Sequence, residues 1–188
     1  MRKIVFAYSI LATIVVLSSC NSEVKKERIQ KIDSLGSLLN HVNEVVAGVD
    51  EAKIQSRLAE MNQMGNWFLD NVEDTLDPVS GIILGDYLRC KKFYNKAVTR
   101  LSQVNKELEY SEKQLSTLRS DVGNGLYDDS EFLIHFNSEA ESTSKLIEAT
   151  DELERTYVSV NAQFVKTKAP VVALKDSIQA VILSPERK

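Results

Sequence analysis

Apolar residues recur at alternating spacings of three and four along nearly the whole chain. One run is Ile32, Leu35, Leu39, Val42, Val46 and Val49, and a second is Ile54, Leu58, Met61, Gly65, Phe68 and Val72. The third and longest is Ile83, Tyr87, Cys90, Tyr94, Ala97, Leu101, Val104, Leu108, Ser111, Leu115, Leu118 and Val122. A fourth passes through Phe132, Phe136, Glu139, Thr143, Leu146, Thr150, Leu153, Tyr157, Val160 and Phe164. This spacing places one stripe on one face of a helix and is the seam of coiled-coil-like packing. No segment shows the sustained two-residue alternation of a half-buried strand. The pattern predicts an all-α protein, an elongated antiparallel helical bundle of four helices, with three long helices as the alternative.

The interruptions are chemically specific. Gly48 can take the left-handed conformation that closes a helix. Asp50 can cap the next one, with Val49 and Ile54 spaced as a hydrophobic staple. Asp77-Pro78 reads as a cap followed by proline at the first helical position, where no donor is lost. Gly123-Asn124-Gly125 is a strong turn signal. Beyond it, Asp128 and Glu131 have capping-box spacing, and Tyr127 with Phe132 can staple across it. Pro170 interrupts a pattern that resumes at Val171, Leu174, Ile178 and Val181, so a kink or a short terminal helix is expected there. The first two helices are about half as long as the others. They form either a short hairpin or, joined through Gly48, one long helix.

The first twenty residues follow a different logic. Arg2 and Lys3 precede a mostly apolar stretch, Ile4 to Leu17, which is shorter than the roughly 20 residues a membrane-spanning helix needs. Leu17-Ser18-Ser19-Cys20 follows directly. These twenty residues resemble the signal peptide and lipobox of bacterial lipoproteins. The resemblance implies cleavage before Cys20, a diacylglycerol thioether on Cys20 and acylation of the new amino terminus. Asn21, where the well-studied sorting rule has an inner-membrane aspartate, implies the outer membrane. The mixed run Ser22-Glu23-Val24-Lys25-Lys26 implies a periplasm-facing rather than a surface-exposed protein. The expected organisation is a signal peptide at 1–19, a lipidated cysteine and tether at 20–27, one helical-bundle domain at 28–183 and a disordered tail at 184–188.

Charge narrows the partners. Loss of residues 1–19 removes Arg2 and Lys3 and leaves 21 basic against 27 acidic residues, a formal net charge of −6. That balance argues against a nucleic-acid binder, which needs a basic face to neutralise phosphates. Lys25, Lys26 and Arg28 lie close to the anchor, either as an ordinary solvated helix start or against anionic head groups.

Little of the mature chain suggests reaction chemistry, and we expect no catalytic residues, metal or cofactor. His41 and His135 are the only histidines. Neither follows a glutamate at the Glu-x-x-His spacing of a di-iron bundle. Cys90 falls on the third stripe between Tyr87 and Tyr94 and is expected to be a core thiol. The acidic stretch from Asp121 to Glu131 fails the calcium-loop pattern, because Leu126 occupies the obligatory glycine position. Met61, Met64, Trp67 and Phe68 cluster late in the second helix. Core is the default for such a cluster, but Met64, Trp67 and Phe68 are also candidate partner-binding residues, methionine and tryptophan being adaptable contact residues.

Two functions follow as expectations. The first is a membrane-anchored, non-enzymatic envelope lipoprotein, an adaptor or scaffold that binds another envelope protein. The second is a helical bundle carrying a small apolar or haem-like ligand, with Tyr87, Tyr94 and His135 as the pocket to look for.

Overall fold

The computed structural model describes the backbone of residues 2–73 and 75–184 and the side chains from Ser22 onward; the expected lipobox with Cys20, the expected sorting position Asn21 and the last four residues lie outside the described side chains. The protein is all-α. Its elements are α1 (Arg2–Gly48), α2 (Glu51–Asn71), α3 (Pro78–Asn124) and α4 (Asp129–Ile182), with no strand among the described residues. None of the described helices is long and apolar enough to cross a membrane.

The chain forms two compact units, and each is a bundle of three helical stretches. Unit 1 comprises α1 to Asn43, α3 from Lys106 onward and α4 to Ile147. Here α1 runs antiparallel to α3, as three hydrogen bonds register: Lys25 Nζ to the Gly123 carbonyl (2.8 Å), Arg119 Nε to Asp33 Oδ1 (2.8 Å) and Asn43 Nδ2 to Glu112 Oε1 (2.9 Å). Unit 2 comprises residues 44–105 and 148 onward. There α4 is parallel to α2 and antiparallel to α3, since Glu60 meets Lys168 (2.9 Å) while Tyr94 meets Asn161 and Lys96 meets Glu152. The end of α1 from Glu44 belongs with α2 to unit 2. The segment Ser22–Glu27, expected as a tether, is already part of α1.

The stripes read from the sequence are the cores. From Tyr87 to Val122 every position of the third run is buried, including Cys90 and Ser111. In the other runs Val46, Gly65, Val72, Phe136, Glu139 and Tyr157 are half-buried and the remaining positions buried. Burying a leucine- or phenylalanine-sized side chain contributes about 1.5–3 kcal/mol, so these stripes dominate the gross stabilisation of each unit.

The helix ends use the expected capping chemistry with two differences. Asp50 Oδ1 accepts from the Lys53 amide (2.8 Å), and Asp77 Oδ1 accepts from the amides of Val79 and Ser80. The capping box closes from both sides: the Glu131 amide donates to Asp128 Oδ1 (2.9 Å) and the Asp128 amide to Glu131 Oε2 (3.0 Å). The Glu131 amide, and then the Ser130 hydroxyl, hold the Asp128 carboxyl below the usual carboxylate range. At the end of α3, Gly125 has φ +72°, its amide donates to the Val122 carbonyl, and the Leu126 amide donates to the Asp121 carbonyl. These are the two bonds of a Schellman cap. Gly48, in contrast, is not left-handed. The chain leaves α1 through Val49 and Asp50, the latter extended (φ −78°, ψ 92°), with the Asp50 amide donating to the Tyr157 hydroxyl (3.3 Å). The second difference is at Pro170, where no separate terminal helix forms and α4 continues through the proline. Proline removes the donor that would meet the Lys166 carbonyl. The next buried positions on either side, Thr167 and Val171, keep the helix seated on its core, and the Thr167 hydroxyl bonds back to the Gln163 carbonyl (2.8 Å).

Candidate functional site

Unit 2 carries the features most suited to recognition, and its core explains why they are fixed. Tyr87 and Tyr94 from α3 pack on Phe164 of α4, with ring centroids 5.5 and 6.1 Å apart. Arg57 of α2 lies over the Phe164 ring at 4.7 Å and donates to both the Tyr94 hydroxyl and Asn161 Oδ1. The Tyr94 hydroxyl donates in turn to Asn161 Oδ1 (2.9 Å). The Tyr87 hydroxyl meets the Glu60 carboxylate (3.2 Å), which Lys168 also holds. Each helix thus contributes a polar group that is satisfied by the other two. A half-satisfied network would cost more than an apolar core, so this one fixes a single register. Burial, reinforced by the Glu60 carboxylate, pushes the Tyr87 phenol well above the usual range, and burial raises Tyr94 and the Cys90 thiol as well.

These placements bear on the candidates named from sequence. Phe68 is 3% exposed and belongs to the core of unit 2. Met64 and Trp67 are half-buried: Trp67 packs edge-on against Phe68 at 5.1 Å and receives the Lys175 ammonium over its ring at 5.2 Å. The neighbouring Leu69 is the exposed apolar residue of this turn, at 81%. Tyr87 and Tyr94 are wholly buried, with their hydroxyls engaged as described. His135 belongs to unit 1, is exposed and lies against the Tyr127 ring at 4.8 Å. Cys90 is a buried free thiol whose Sγ faces the Asp86 carbonyl (3.7 Å). No group of three or more metal-ligating side chains occurs among the described residues.

Periodicity alone missed two arginines. Arg28 donates to the Tyr127 carbonyl (3.0 Å), pairs with Asp129 and lies over the Phe132 ring at 4.9 Å. It is a clasp on the α3–α4 turn of unit 1. Lys25 caps the carbonyl of Gly123 in the last turn of α3, so Lys25 and Arg28 are both held by protein. Arg57 was missed for the same reason: a charged residue off the stripe reads as surface until its partners are known.

Along unit 2, α3 and α4 bound an open groove of about 630 Å³. Its floor includes Cys90, Phe93 and Val160, and Arg89, Lys96 and Arg155 line its banks with Thr156, Ser159 and Gln163. Asp86 is its acidic member and is paired with Arg89 at 3.1 Å. Lys96 and Arg100 both engage Glu152, and their hydrogen bonds, Arg100 first, hold that carboxyl down to about 2.

Comparison with known proteins adds no relative: no family model matches the chain, and no curated protein or solved structure does.

Proposed function

We propose that this chain is a bacterial lipoprotein of the cell envelope, cleaved before Cys20, acylated there and held in the outer membrane facing the periplasm, where its helical bundle acts as a non-enzymatic adaptor for another envelope protein. The observation that carries the proposal is Leu17-Ser18-Ser19-Cys20 following a basic start and a short apolar run. Each buried methylene of an acyl chain contributes about 0.8 kcal/mol, and one chain alone binds reversibly, so a triacylated cysteine gives stable anchoring. Asn21 supports the outer membrane by the sorting rule. The adaptor role is supported by a bundle whose cores are filled by its own side chains, while large apolar residues such as Leu69, Ile82, Val158 and Val165 stay exposed. Some exposed apolar surface is normal, and the support for a contact surface is the groove in which exposed Phe93 lies among polar and basic side chains.

The test is purification of the full chain from envelopes in mild detergent beside a Cys20→Ala control. The proposal expects a lipid-modified amino-terminal peptide by mass spectrometry, loss of membrane retention in the control, and a reproducible protein partner. A soluble, unmodified chain would refute the anchor. A small molecule as the sole companion would refute the adaptor and favour the ligand-carrying bundle.

A further inference from the structure

Between Tyr87 and Asn105, α3 carries Arg89, Lys91, Lys92, Lys96 and Arg100 and no acidic residue. Between Arg155 and Lys175, α4 carries Arg155, Lys166, Lys168 and Lys175 and again no acid. The two stretches are antiparallel neighbours in unit 2, as Tyr94–Asn161 and Tyr87–Phe164 show, and Arg89 and Lys96 of the first and Arg155 of the second line the same groove. In a mature chain of net charge −6 this is a local inversion of sign. The acids at its border, Asp86 and Glu152, are already engaged, by Arg89 and by Lys96 with Arg100. Of the cations that line the groove, Arg155 makes no ion pair among the described residues, and Lys96 shares Glu152 with Arg100.

Between the cations lies apolar surface. Phe93 is 43% exposed at the groove, and Val160 and Cys90 lie beneath it. An apolar floor with basic banks is complementary to an amphipathic helix whose flanks are acidic. The cations are distributed along the helices, about 28 Å for the α3 segment at 1.5 Å per residue, and do not converge on one point. Convergence is what a phosphate or carboxylate head group requires, whereas a helix presents a carboxylate every three or four residues along its length. The surface is also concave, which suits an inserted helix better than a flat lipid surface.

We infer that the α3–α4 groove of unit 2 is a docking site for an acidic amphipathic helix of a partner protein, which seats apolar side chains over Phe93 and Val160 and carboxylates against Arg89, Lys96 and Arg155. The inference rests on the adaptor reading and names the chemistry of its partner.

The experiment uses the full chain in detergent and a fluorescent helical peptide of about three heptads, apolar at a and d and glutamate-rich elsewhere. A lysine-for-glutamate version and phosphatidylglycerol vesicles serve as competing probes. The expected result is anisotropy-detected binding of the acidic peptide alone, weakening as salt rises, and weakened about tenfold or more in Arg89→Glu/Arg155→Glu. Lys113→Glu on unit 1, with the same circular dichroism spectrum, should bind as the parent does. Absence of acidic-peptide binding, equal binding by the double variant, or binding of vesicles in place of peptide overturns the inference. The envelope purification separates this from the adaptor reading: if the double variant still retains the native partner, the groove is wrong and the adaptor stands, whereas failure of the parent to retain any partner removes the adaptor itself.

Discussion

The two units are built from the same long helices α3 and α4 yet are held together differently. The core of unit 1 is mainly aliphatic, with Ile32, Leu39, Val42, Leu115 and Leu118, and it includes Ser111 and Thr143 among its buried positions. The Thr143 hydroxyl has no hydrogen-bond partner, and Glu139, one turn before it, has its carboxyl raised above the usual range by burial. The core of unit 2 is aromatic, around Tyr87, Tyr94, Phe68 and Phe164, and its buried polar groups are joined through Arg57, Asn161 and Glu60. The same heptad-like pattern thus gives a permissive core in one unit and a specified one in the other. A register shift in unit 2 would break several hydrogen bonds at once. In unit 1 the comparable fixed point is the Arg28 clasp and the capped α3–α4 turn. The groove with charged banks lies on the specified unit, which suits recognition because its side chains stand on rigid helices.

The largest effect should come from unit 2. Phe164→Ala removes the ring on which Tyr87, Tyr94 and Arg57 converge and should cost about 3–5 kcal/mol in denaturant unfolding; a loss below 1 kcal/mol would mean the aromatic core does not organise this unit. Thr143→Val, in unit 1, should act in the opposite direction. Replacing an unpartnered buried hydroxyl by a methyl should raise stability by about 1 kcal/mol, and a loss of that size would show that the hydroxyl is satisfied in solution. Asp128→Ala should cost about 1 kcal/mol by opening the capping box, with hydrogen exchange accelerated at the start of α4.

Titration gives the smallest effects. The folded Glu152 carboxyl sits at about 2 against an ordinary 4.5, so its contribution is complete above pH 4.5 and is lost as pH falls toward 2. Glu152→Gln should flatten that part of the acid unfolding profile. At the other end, the raised Tyr87 phenol makes the fold resist deprotonation, so stability falls as pH rises above 10, and Tyr87→Phe should weaken that dependence.

Much of this fold could be read from residue order because the helices obey local rules. The third stripe is buried position by position from Tyr87 to Val122, and Asp50, Asp77, Asp128 and Gly125 cap as their chemistry requires. What escaped was long-range. Gly48 had the right residue type for a left-handed cap, but its φ is not positive and the chain enters α2 through an extended Asp50. Arg28 is 99 residues from Tyr127, and Arg57 is 37 and 104 residues from Tyr94 and Asn161; no local period registers such pairs. Phe68 and Trp67 are adjacent, and the stripe correctly assigned Phe68 to the core, leaving Trp67 at its edge. The basic groove had a signal, the absence of acids from 87–105 and 155–175, but which of those cations share a surface, Arg89, Lys96 and Arg155, is set only when α3 and α4 pair.

The measurement that tests the account most directly is site-specific photocrosslinking of the full chain in intact cells, with the crosslinker at Phe93 (43% exposed) in the groove of unit 2 or at Tyr110 (58% exposed) on unit 1. The account predicts a discrete protein adduct from Phe93, lost with Arg89→Glu/Arg155→Glu, and none from Tyr110. Adducts from Tyr110 alone, or lipid adducts in place of protein at Phe93, would contradict it.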